Sequence, residues 1–105
     1  MTGDTQPNQR YQLPPRLSAY RKIGPFDVES LPAGLLREHR LKEGTWANLT
    51  VLEGEIGFVW DDADSDGVVT ILVAGDCLHV PPLILHHLEL REGTFSLEIE
   101  FLSAS

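Results

Sequence analysis

From Leu35 onward, short apolar runs recur about every ten residues, and each is closed by a turn signal. The runs are Leu35–Leu41, Ala47–Trp60, Val68–Val73, Cys77–Val80, His86–Leu90 and Phe95–Leu102. Between them stand Lys42-Glu43-Gly44, Ala74-Gly75-Asp76, Pro81-Pro82, Glu92-Gly93 and the acidic stretch Asp61 to Gly67, while Glu53-Gly54 interrupts the longest run from within. Such punctuation leaves no room for a helix of ordinary length and predicts a sandwich or small barrel of antiparallel strands. Alternation supports this: Phe95, Leu97, Ile99 and Phe101 fall on one face of a strand, and Ser96, Glu98 and Glu100 on the other. Ser30-Leu31-Pro32 can begin at most one turn of helix.

The 105 residues suffice for one hydrophobic core and not for two. Residues 1–18, polar and proline-containing at their start, are expected to be a flexible arm or an edge strand, with the barrel over 19–105. Sixteen acidic against eight basic residues give a formal charge of −8. That charge repels phosphate backbones and anionic headgroups, so neither nucleic acid nor membrane is an expected partner. With Cys77 as the lone cysteine and no leader-like start, the expectation is a cytoplasmic protein without an intramolecular disulfide. A small barrel with exposed strand edges is expected to self-associate, most simply as a twofold homodimer.

One stretch has the spacing of a known motif. Gly75, five residues, Pro81, and His86 five positions later match the second motif of the cupins, with Leu83 where that motif has a glycine and Leu90 where it has an asparagine. Gly75 and Asp76 turn the chain into a strand, Pro81 ends its ladder, and the next strand opens on a histidine. Upstream, Val51 to Ile56 resembles the end of the first cupin motif, whose glutamate position counts to Ala47. His39 followed by the Gly44-Thr45-Trp46 turn and Gly54, the Leu31-Pro32-Ala33-Gly34 lead-in and the Pro81-Pro82 pair resemble the TehB-like cupins, and YeaR-type proteins, over Leu31 to Phe101. The resemblance implies an all-β, single-domain, double-stranded β-helix (jelly-roll) barrel. Full-length relatives also carry a methyltransferase domain; its glycine-rich nucleotide fingerprint is not in these residues, so methyl transfer is not expected.

Alternation turns His39, with Leu35, Arg37 and Leu41, and His86, with Leu88 and Leu90, toward the interior. Taken singly, either is as readily a hydrogen-bonded core histidine. Together, two neutral imidazoles suit a divalent transition metal such as zinc, iron, nickel or copper, with binding weakening around pH 6–7 as imidazole protonates. Glu100 is the candidate third ligand, although alternation sets it opposite the apolar face of its strand and only a bulge, or a more polar barrel interior, would bring it to a metal. Arg37 either snorkels to solvent or holds a small anionic ligand at the pocket mouth. His79 and His87 alternate outward. Trp46 and Trp60 read as apolar anchors, and Cys77 as a small packed side chain. Asp62-Ala63-Asp64-Ser65-Asp66-Gly67 imitates half a calcium loop, but Val73 stands where the bidentate glutamate belongs, so it reads as an acidic hairpin tip.

Three functions remain open. The resemblance implies a metal-binding cupin in metalloid (tellurite) or nitrogen-oxide stress responses; the alternatives are a metal-free barrel holding a small molecule or anion, and a structural dimer with a vestigial pocket. No serine elbow or triad is present, and the sequence assigns no reaction.

Overall fold

The computed structural model describes residues 9–62 and 67–104. Among these residues the six strands are β1 (Leu17–Phe26), β2 (Thr45–Trp60), β3 (Val69–Val73), β4 (Cys77–Val80), β5 (His86–Glu89) and β6 (Phe95–Ala104), all paired antiparallel. The only helical element among the described residues is a 3-10 turn over Ala33–Leu36, directly after the Ser30-Leu31-Pro32 segment. Among the described residues no helix is long and apolar enough to cross a membrane.

β2 organises the barrel. Sixteen residues at about 3.3 Å each would run roughly 50 Å if straight, yet the longest axis of the molecule is 38 Å. The strand therefore bends, and it does so at Gly54. Its first part, from Thr45, pairs with β6 and β4; its second, Glu55 to Trp60, pairs with β3 and β5. The register with β6 slips between Val51 and Glu53. Gly54 takes φ +71, and a Cβ there would lie 2.0 Å from the Thr94 carbonyl oxygen. One strand thus feeds two sheets, β4-β2-β6-β1 and β3-β2-β5, which close face to face over one core.

Alternation fills that core. Ala47, Leu49 and Val51, then Ile56, Phe58 and Trp60, point inward from β2 and meet Leu72, Leu78, Val80, Leu88, Leu97 and Ile99. Phe58, the largest fully buried side chain, removes enough apolar surface to contribute about 2–3 kcal/mol. Upstream of β1, the segment from Gln9 to Tyr11 lies against the barrel wall. The Gln9 carboxamide donates to the Cys77 carbonyl and accepts from the His79 N–H, on the strand edge of β4. Arg10 forms a bidentate pair with Asp62 at 3.0 Å and lies over the Trp60 ring, and Tyr11 meets Trp60 edge-on. Residues 1–8 of the expected arm, and the middle of the acidic Asp62 to Gly67 stretch, lie outside the described residues.

Gly54→Ala is expected to destabilise the fold by about 2 kcal/mol or more, because it adds a side chain at a left-handed backbone angle and a backbone collision. A urea unfolding midpoint unchanged by the substitution would show that the bend does not need glycine.

Candidate functional site

His39 lies in the extended segment after the 3-10 turn, and His86 opens β5. They form a single antiparallel bridge, each N–H donating to the other's carbonyl at 2.9 Å. His86 is also paired with Trp60 of β2, so this bridge carries the β3-β2-β5 sheet one step further. Residues directly opposite in an antiparallel pair share a face. The two imidazoles accordingly meet edge to face, centroids 4.3 Å apart and planes at 69°. Phe58 stacks on His86 at 5.2 Å and 17°, holding that ring against the core.

Both rings are fixed in the same way. Nδ1 of His39 donates to the Arg37 carbonyl and Nδ1 of His86 to the Ile84 carbonyl, each at 2.8 Å. A carbonyl can only accept, so Nδ1 carries the proton and Nε2 of each neutral ring keeps its lone pair. Among the described residues, Nε2 of neither ring has a hydrogen-bond partner. Both rings line a cavity of about 80 Å³. Half-buried Ile23, Leu35, Leu41 and Phe101 surround its rim beside His39, and buried Ala47, Leu49, Phe58, Leu88 and Ile99 form its floor beside His86. Burial in this apolar setting pushes His86 down from 6.5 to about 4, with the facing His39 adding to the same direction. His86 is therefore neutral across the ordinary pH range.

The other candidates stand elsewhere. Glu100 keeps the outward face that alternation gives it, registered between Asn48 of β2 and Lys22 of β1 with no bulge to redirect it. It does not line the cavity, and no group of three His, Cys, Asp or Glu residues among those described is placed to hold a metal ion. Arg37 is exposed and contributes its carbonyl to His39, not its guanidinium to the cavity. His79 bonds Asn48 Oδ1 at 2.7 Å on the outer face, and burial lowers its pKa. His87 bonds Asp61 Oδ2 at 2.6 Å. The sequence reading did not single out Phe58, although its place between Ile56 and Trp60 on the inward face of β2 marks it.

The donor set can be tested against a metal. The Nδ1 bonds to carbonyls are the outer-shell contacts that metal-binding histidines ordinarily make. The pair fits a metal as two ligands of an incomplete shell.

Comparison with known proteins gives a consistent picture. The family model of the TehB-like domain matches residues 21–99. A crystal structure of a protein from E. coli strain K12 is 22% identical with a TM-score of 0.76, over 90% of this chain and 98% of its own. TehB from Haemophilus influenzae is 24% identical with a TM-score of 0.77, over 86% of this chain and 32% of its own, so the chain spans about a third of that protein. Fe(II) HppE in complex with its substrate is more distant, at 20% identity and a TM-score of 0.51 over 88% of this chain and 55% of its own. The curated proteins include no match.

The histidine next to the cavity provides a check on these electrostatics. Burial opposes a charge on His87, but its hydrogen bonds to Asp61 and Glu89 outweigh it and raise the pKa above 6.5. The stability that His87 contributes is present in full below 6.5 and is lost as pH rises through the raised folded value. His86, with its depressed value, has the opposite sign and loses stability as pH falls from 6.5 toward about 4. His87→Ala should therefore fall further behind the parent protein at about pH 5.5 than at about pH 8.5 in urea midpoint. Equal deficits at both pH values would mean that His87 is not ion-paired in solution.

Proposed function

Because the chain belongs to the TehB-like domain family, we propose that it is a metal-binding cupin whose ligands are His39 and His86, acting in metalloid or nitrogen-oxide stress responses as the family likeness implies. The observation that carries this reading is the pair of Nε2 lone pairs, each left without a protein partner by an Nδ1–H that is already committed to a carbonyl. Here both rings face one apolar cavity. The iron(II) in HppE, a protein that shares this fold, supports the idea that such a barrel can house a metal.

A divalent transition metal bound there, whether zinc, iron, nickel or copper, would supply a Lewis acid with coordination positions to spare. The chain's own residues do the rest. The carbonyls of Arg37 and Ile84 hold the tautomer, and Phe58 fixes the His86 plane. Glu100 takes no part in this site.

Replacing His39 or His86 with alanine should reduce metal affinity at least about a hundredfold, whereas His79→Ala and His87→Ala should leave stoichiometry unchanged. Metal content and titration calorimetry of the four variants, purified without a metal-affinity tag and checked for folding, measure this. Equal loss in all four, or no metal taken up by the parent, would return the pair to the status of core histidines.

A further inference from the structure

We infer that the metal-free protein binds a compact neutral molecule in the cavity between His39 and His86, one that offers a hydroxyl or N–H to an imidazole and a short apolar body to the wall. This goes beyond the metal reading and needs no metal. The two Nε2 atoms can only accept, because each Nδ1 is already spent as a donor on a carbonyl. Among the described residues no sealed side-chain nitrogen or oxygen is without a hydrogen-bond partner. The unpaired Nε2 atoms are therefore not sealed and keep accessible surface. On rings that line a cavity, with His86 only 4% exposed, that surface belongs to the cavity. An acceptor in such an apolar setting gains from a donor and is costly to leave without one.

Charge and size narrow the ligand. No Asp, Glu, Lys or Arg lines the cavity, so an anion or a cation finds no counter-charge there, and burying either unpaired is costly. A carboxylate would also bring acceptors to acceptors. The remainder of the ligand is hydrocarbon, because Leu35, Leu41, Leu49, Phe58 and Leu88 offer it nothing to bond. The cavity, at about 80 Å³, has roughly half the volume of one of about 150 Å³ that admits benzene, so an alcohol of about four carbons fills it and an extended substrate does not. Half-buried residues at the rim beside His39 leave a way in. A hydroxyl donates one hydrogen, and the more deeply buried His86 gains most from it.

Two substitutions separate the polar share of binding from the apolar one. His86→Phe keeps an aromatic ring against Phe58 and removes the acceptor. Ala47 is 4% exposed and part of the wall, so Ala47→Val occupies some of the cavity while both imidazoles stay in place. A pair of ligands makes the same separation on the parent protein alone: n-butanol, and methyl propyl ether, which has as many heavy atoms but no donor.

The test is titration of the full chain, stripped of metal with EDTA, followed by NMR of the cavity methyl groups and the imidazole nitrogens. In the parent protein n-butanol should bind saturably at about 1–10 mM, as expected of so small a ligand. It should bind about tenfold more tightly than the ether and shift the His86 Nε2 resonance as that atom accepts a hydrogen bond. Butyrate and butylammonium should not bind. In His86→Phe the alcohol and the ether should agree within about twofold, and Ala47→Val should weaken both by about fivefold or more. Equal affinity for alcohol and ether in the parent, a stationary His86 Nε2 resonance, or binding of either charged analogue would overturn the inference. If no ligand binds saturably, the cavity holds water alone and the inference falls. The assay contains no metal, so its failure leaves the metal reading standing, and failure of metal uptake leaves this inference standing.

Discussion

A strand of sixteen residues in a molecule 38 Å long has to turn a corner, and where β2 turns decides everything the barrel can hold. The corner is made at a residue without a side chain, pressed against the Thr94 carbonyl. Before it, Ala47 and Leu49 face the cavity from one sheet; beyond it, Phe58 faces the same space from the other. The cavity is the inside of that bend. Because Trp60, at the far end of β2, is registered with His86, and His86 with His39, the same strand also fixes the imidazole pair.

The site that results is polar at two atoms and hydrocarbon elsewhere. Its imidazoles are held through their backbones by mutual hydrogen bonds and through their rings by carbonyls two residues earlier, so little conformational entropy is left to lose on binding. The same arrangement keeps His86 uncharged. Preorganisation and neutrality are what a metal asks of imidazole, and both follow from burial.

Much of this could be read before any coordinates. Period-two alternation placed Leu97 and Ile99 inward and Glu98 and Glu100 outward, and it sent His79 and His87 to the outer face, because a strand offers only two directions. Pro81 ends β4 where its missing N–H demands, and His86 opens the next strand. Leu83, at the position where the motif has glycine, has φ 68, so the turn keeps a left-handed conformation despite its side chain. What the sequence could not disclose lies in long-range register. The bridge between His39 and His86 joins segments far apart in the sequence, and no local pattern encodes it. The Nδ1 bonds to Arg37 and Ile84, and the stacking of Phe58, depend on rotamers that only packing selects. For Glu100 the alternation rule was sufficient, and the bulge needed to override it is not there.

The carboxamide of Gln9 presents one N–H and one carbonyl to β4, accepting from His79 and donating to Cys77. In that position it is a counterfeit peptide group, a single rung supplied by a side chain in place of a neighbouring strand. Any foreign strand seeking to dock there would first have to evict it and break two hydrogen bonds to gain its own. The N-terminal segment thus occupies a stretch of exposed strand edge that would otherwise be open to pairing.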